Sequence, residues 1–176
     1  MTQMIKATTV YDYPTYKRYA LFHLSKGRLY LTIIPCVISF LAIIIACVSL
    51  ILFGYNRTLV VCLTVLILYL FLQAYLYFFS PKAHYKSNRG LANLRNDFEF
   101  GESGITVRSV NANTDGTSTW NYDVLYKAYE TKDSFYLYVN RLQAFIVSKD
   151  GFTEGSATEL SVLLSGKLPP KKYILR

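Results

Sequence analysis

Two stretches of this chain contain no Asp, Glu, Lys or Arg: Leu29 to Phe53 and Thr58 to Ser80, with Arg57 the only such residue between Arg28 and Lys82. The first run is 25 residues long, about 38 Å as a helix, and the second is 23, about 35 Å. Each exceeds the roughly 20 residues that cross a hydrocarbon core. Neither alternates like a half-solvated helix, since Ile43-Ile44-Ile45 and Leu66-Ile67-Leu68 are apolar all round. The pattern predicts two transmembrane helices, about 29–53 and 58–80. They are joined by the link Gly54-Tyr55-Asn56-Arg57, whose Gly and Asn suit a reversal. Buried core helices are disfavoured because the rest of the chain is too short to cover them. A cleaved signal peptide is disfavoured because 28 polar-rich residues precede the first run and a second run follows at once.

Before the first span, "YDYPTYKRYALFHLSKGR" reads as an interfacial helix. Pro14 suits a first turn, Tyr16, Tyr19, Ala20 and His23 recur at helical spacing, and Gly27 offers a stop. Leu21, Phe22 and Leu24 widen the apolar surface among interspersed cations, as on a helix lying against a membrane. Residues 1–28 are thus expected as a cytoplasmic interfacial segment and 29–81 as a transmembrane hairpin. Residues 82–96 are expected as a basic connector, with Ser80-Pro81 ending the second helix.

Residues 97–176 change character. Phe98 and Phe100, then Ile105 and Val107, alternate on either side of Gly101-Glu102-Ser103-Gly104, a hairpin signal. Asp115-Gly116 predicts a turn before a strand reaching Trp120 and Tyr122, and "VLYKAYE", "SFYLYVN" and "AFIVSKD" follow as strand candidates. Ser156-Ala157-Thr158-Glu159 fits a capping box ahead of a Leu160, Leu163, Leu164 stripe, which Gly166 and Pro169-Pro170 close. The predicted fold class is α+β: an interfacial helix and a two-helix transmembrane hairpin, then a small antiparallel sheet or barrel capped by a C-terminal helix.

Composition agrees, with 52% hydrophobic residues and a mean hydropathy of +0.24 in 176 residues. The net charge of +8 is unevenly placed: +4 in residues 1–28, +1 at Arg57, +4 in 82–96 and −1 in 97–176. Lys6, Lys17, Arg18, Lys26 and Arg28 precede the first span, and Lys82, Lys86, Arg89 and Arg95 follow the second. The single Arg57 between the spans then predicts a multi-pass protein of the cell membrane with both termini cytoplasmic. Lys17, Arg18, Lys26, Arg28, Lys82, Lys86 and Arg89 are the candidate contacts to anionic lipid, each worth about 1 kcal/mol near the surface. Basicity confined to these flanks gives no reason to expect nucleic acid.

Chemistry-bearing patterns are sparse. Cys36, Cys47 and Cys62 all fall inside the apolar spans without the spacing or aqueous access of a metal or redox site. His23 and His84 flank the spans as interfacial residues, and 97–176 holds neither His nor Cys. Gly101, Gly104 and Gly116 match no phosphate loop. No catalytic residue, cofactor or metal is therefore expected, and the protein reads as non-enzymatic. Transport within one chain is disfavoured, because the spans carry no Asp, Glu, Lys, Arg or His and Gln73 is the most polar side chain of the second. The candidate partner surface is aromatic: Trp120, Tyr122, Tyr126, Tyr136 and Tyr138.

Two early spans, then "FEFGESGI", then Trp120 in "TWNYDVLYKAYETKDSFYLYVNRLQAFIVSKDGF", resemble the YcxB-like family of bacterial membrane proteins. The resemblance implies a pleckstrin-homology-like (PH-like) C-terminal domain, a strongly bent sheet capped by a helix, and implies no particular activity. An inositol-lipid site would need cations converging near the first hairpin, where the nearest is Arg108. The expectation is a membrane-anchored protein whose cytosolic domain mediates association with an unidentified protein or with itself. The alternatives are an accessory subunit of a transport or signalling complex, and a small-molecule or lipid-binding membrane sensor.

Overall fold

The structure is a computed structural model that describes residues 4–25, 30–88, 90–91, 93–112 and 114–176. It has α+β architecture and divides into two units, Met1–Tyr19 with Asn88–Arg176, and Ala20–Ser87.

The second unit is built on α2 (Tyr30–Phe53) and α3 (Arg57–Phe78). Within them Ile33–Phe53 and Arg57–Phe78 have mean hydropathies of 3.0 and 2.4 and are long and apolar enough to cross a membrane. Their apolar side chains, from Ile33 to Phe79, are largely exposed, which a water-filled surrounding would not tolerate over so large an area. Gly54, at φ 79°, ends α2, and the Asn56 side chain caps α3 by accepting from the Leu59 amide at 3.2 Å. On α2 the buried Ser39 shares a face with the half-buried Ala42, Ala46 and Ser49; on α3 the half-buried positions include Leu63, Leu66, Leu70, Gln73 and Tyr77. Small residues on one helix and large ones on the other, both at alternating three- and four-residue steps, make a close-packed seam. α3 ends at Phe78, with Phe79 as its cap, directly before Ser80-Pro81 as expected, but a second short helix follows: α4 (Ser80–Ser87), with Pro81 in a first turn where its missing N–H costs nothing.

The first unit begins with an element the sequence reading missed. Ile5–Val10, expected as part of an interfacial segment, is strand β1, with Ile5, Ala7 and Thr9 buried and Val10 exposed. After α1 (Tyr13–Ser25) and the second unit, the chain returns as β2 (Arg95–Phe100), β3 (Gly104–Asn111) and β4 (Thr114–Asn121). It continues through β5 (Lys127–Glu130), β6 (Ser134–Tyr138), β7 (Ala144–Ser148), β8 (Phe152–Glu154), α5 (Ala157–Lys167) and β9 (Tyr173–Leu175). One sheet runs β4-β3-β2-β1-β8 and the other β7-β6-β5-β9, so β1 is internal to the larger sheet. It pairs antiparallel with β2 from Ile5↔Phe100 to Val10↔Arg95. Two further backbone bonds, Tyr11 N–H to Leu94 O at 2.8 Å and Asn93 N–H to Tyr11 O at 3.2 Å, extend that pairing. In sequence, then, the apolar hairpin is an insertion between two paired strands, and Arg95 and Asn96 belong to β2 rather than to a connector.

Two glycines record how closely strands approach. A Cβ on Gly104 would stand 2.6 Å from Trp120 O, and one on Gly151 only 2.0 Å from Thr8 O of β1. The hairpin at 101–104 forms as expected, with Gly101 N–H bonded to Gly104 O at 2.9 Å. Asp115-Gly116 does not form a turn: both lie in β4 opposite Val110 and Ser109, and the pairing continues to Asn111↔Thr114. Continuous pairing with β3 overrides the local turn preference of Asp-Gly.

The core lies between the sheets. Ile5, Ala7, Phe98, Phe100, Ile105 and Val107 of the larger sheet meet Phe135, Leu137 and Val147 of the smaller. Helix α5 contributes Leu160 and Leu164, both fully buried, and starts where Ser156 accepts from the Glu159 amide at 3.2 Å, the predicted cap.

Candidate functional site

The larger and smaller sheets meet at β1 and β7 through side chains. Tyr11, just past β1, accepts a hydrogen bond from the Ile146 amide at 2.7 Å, and Thr9 Oγ1 accepts from the Ser148 amide at 3.0 Å. Alternate amides along the outer edge of β7 are thereby satisfied without a strand neighbour. Tyr11 is 3% exposed, and burial drives its phenol pKa upward. Asn96, 1% exposed, interacts with Tyr11, and its Oδ1 has no hydrogen-bond partner among the described residues.

On β6, Phe135 and Leu137 point into the core while Tyr136 and Tyr138 point the other way, onto α1. The Tyr19 ring lies 5.7 Å from that of Tyr136 and 6.3 Å from that of Tyr138, and the Tyr19 hydroxyl donates to Leu142 O at 3.2 Å. Burial pushes the Tyr19 phenol up to about 12 and raises those of Tyr136 and Tyr138. Asp12 starts α1, its side chain accepting from the Thr15 amide at 2.9 Å. The helix predicted from Pro14 onward therefore exists, and its first part covers a sheet face.

This arrangement corrects the expected partner surface. Tyr136 and Tyr138 are 3% and 2% exposed, and Tyr122, at 4%, donates to Gly101 O from the turn after β4. None of the three presents a ring to solvent. Trp120 is half-buried with its ring 5.8 Å from Phe145, and Tyr126, exposed, lies 5.8 Å from the Lys127 ammonium. The five aromatics are distributed over two sheets and two turns rather than gathered into one patch. Among the candidate lipid contacts, Lys17 is half-buried while Arg18, Lys82 and Lys86 are exposed; Lys26, Arg28 and Arg89 lie outside the described residues.

A second polar centre surrounds Glu130. Its carboxylate accepts from the Lys149 ammonium at 2.6 Å, from Ser161 of α5 at 2.7 Å and from Tyr173 of β9, while its backbone oxygen accepts from Arg176 N–H at 2.8 Å. Burial pushes the Glu130 carboxyl up, but the hydrogen bonds from Lys149, Tyr173 and Ser161 and the charge of Lys149 outweigh it and hold it below the usual range. Burial and the bond to Glu130 push the Tyr173 phenol up to about 12. The cluster joins β5, β9, α5 and the turn after β7, and β9, parallel to β5, had no sequence signal beyond Tyr173-Ile174-Leu175. No group of three or more His, Cys, Asp or Glu suited to a metal occurs among the described residues.

On the hairpin, a groove of about 580 Å³ between α2 and α3 is lined by Cys36, Val37, Phe40, Gln73, Ala74 and Tyr77 among others, and its wall is almost wholly apolar.

Hairpin, strands and capped helix in this order invite comparison with known families. Residues 100–163 match the model of the YcxB-like protein family. The YcxB-like segment thus runs from the end of β2 into α5. Searches of curated proteins and of solved structures found no match to the chain. The YcxB-like match and the two candidate spans together fit a membrane-anchored protein.

Proposed function

We propose that this chain is a non-enzymatic association module of the cell membrane, with both termini cytoplasmic and a PH-like domain that brings a protein partner or a second copy to the membrane surface. One observation carries the reading: β1 and β2 flank the apolar hairpin in sequence yet pair over six residues. Two strands paired in one sheet belong on one side of a membrane, which supports a hairpin that leaves and returns on the same side. The cations before and after it support a cytoplasmic assignment of that side. The absence of an enzymatic role is supported by how the domain uses its carboxylates. Glu130 is engaged by Lys149, Asp97 by Thr8 and Arg95, and Asp115 by Arg108, each serving to join elements rather than converging on a cleft. The alternative of a lipid-binding sensor is favoured only by the apolar groove on the hairpin.

Two experiments test the reading. In a variant lacking Cys36, Cys47 and Cys62, a cysteine at Tyr55 should react with an impermeant maleimide on intact cells, and one at Thr153 only after permeabilisation; the reverse pattern overturns the topology. In-cell crosslinking should then recover a protein, or further copies, with the native chain but not with Gly151→Val, which breaks the domain and spares the spans. Equal recovery from both shows that the domain is not the recruiting element.

A further inference from the structure

Exposed strand edges invite pairing with another chain, and folded proteins keep them short, covered or charged. Among the described residues, three of the four edges follow that rule. β8 and β9 have three residues each, and β7 has its Ile146 and Ser148 amides occupied by Tyr11 and Thr9. β4 is the exception. It is eight residues long, in unbroken register with β3, and contains no Lys, Arg or Pro. Asp115 to Thr119 are all exposed, and the one charge, Asp115, is neutralised by Arg108 of β3 at 3.0 Å.

We infer that β4 pairs antiparallel with β4 of a second copy of this chain, about a two-fold axis at Ser118. This rests on the association reading above and gives it a surface. Residues opposed across an antiparallel pair lie on the same face of the sheet. In a symmetric pair the axis must therefore pass through a residue rather than between two. An axis at Ser118 opposes Thr117 to Thr119, Trp120 to Gly116 and Asp115 to Asn121, each contact occurring twice. Paired β-branched threonines stabilise adjacent strands, and an aromatic ring opposite a strand glycine covers backbone that glycine leaves open. Gly116 has no heavy atom within 4 Å of where a Cβ would stand, so its side-chain space is free. Asp115 meets an amide donor, and no like charges oppose one another. An axis at Thr117 would instead set Asp115 against Thr119 and leave Gly116 facing Ser118, losing these pairings. A neutral, self-complementary edge fits a second copy better than a charged peptide, and confinement of both copies to one membrane raises their effective concentration.

The test uses the full chain in its membrane, with Cys36, Cys47 and Cys62 replaced and a cysteine placed at Ser118. On the axis, the two Cα atoms lie about 4.5–5.5 Å apart, within disulfide range. Mild oxidation should give a disulfide dimer at least several-fold more abundant than from Val162→Cys, an exposed position on α5. Adding Thr117→Lys with Thr119→Lys, which opposes lysines across the axis, should remove most of that dimer while the circular dichroism spectrum is kept. A Ser118→Cys yield no greater than that of Val162→Cys, a bond mainly to a different protein, or a dimer indifferent to the lysines overturns the pairing. If the Ser118 cysteine is silent while in-cell crosslinking still depends on the folded domain, strand pairing fails and the association reading stands; if both are silent, both fail.

Discussion

Tyr11 accepts a hydrogen bond from the amide of Ile146, 135 positions further along the chain and across from one sheet to the other. Phenylalanine at position 11 keeps the ring and leaves that amide buried and unsatisfied. Tyr11→Phe should lower domain stability by about 1–3 kcal/mol. Denaturant unfolding in detergent, with Thr9→Val as a parallel case at Ser148, measures the loss.

Gly151 meets β1 backbone to backbone, so no side-chain rotation can accommodate a methyl group there. Gly151→Ala should destabilise by about 1–3 kcal/mol or more, as overpacking does. Gly166→Ala, at a position with nothing within 4 Å, should be near neutral or slightly stabilising in the same thermal melt.

The glycine and tyrosine contacts show why the sequence was legible in some places and silent in others. The spans announced themselves because an uncharged run of 25 or 23 residues has few other uses. The 101–104 hairpin and the Ser156 cap were visible because their determinants lie within a few residues of each other. β1 was hidden: "IKATTV" has only a short alternation with Thr9 at an inward position, and its partner strand begins 85 residues after Val10. Asp115-Gly116 misled because pairing with β3 outweighs a local preference. The tyrosines of β6 alternate as a half-exposed strand should, and nothing in that alternation reveals that α1 covers the outer face.

Tyr19 holds α1 against β6, and its removal should release the helix before it unfolds the sheets. Tyr19→Ala is expected to speed amide exchange across residues 13–19 and at Tyr136 and Tyr138, with exchange in β2 and β3 unchanged. Uniformly faster exchange would show instead that α1 is integral to the core.

Glu130 makes stability depend on acid. Its carboxyl titrates below the usual range in the folded chain, so its contribution is fully present above an unfolded value of about 4.3 and is lost as pH falls through the lower folded value. Glu130→Gln should cost about 1–3 kcal/mol at neutral pH. The gap between the two proteins should narrow below about pH 4.

The most direct test of the account is whether the N-terminal strand completes the domain. Residues 93–176 alone should lack a cooperative thermal transition, and a chain joining residues 1–12 to residues 93–176 through a short loop, without the spans, should regain one. A cooperative transition of equal midpoint from 93–176 alone would contradict the placement of β1 inside the sheet.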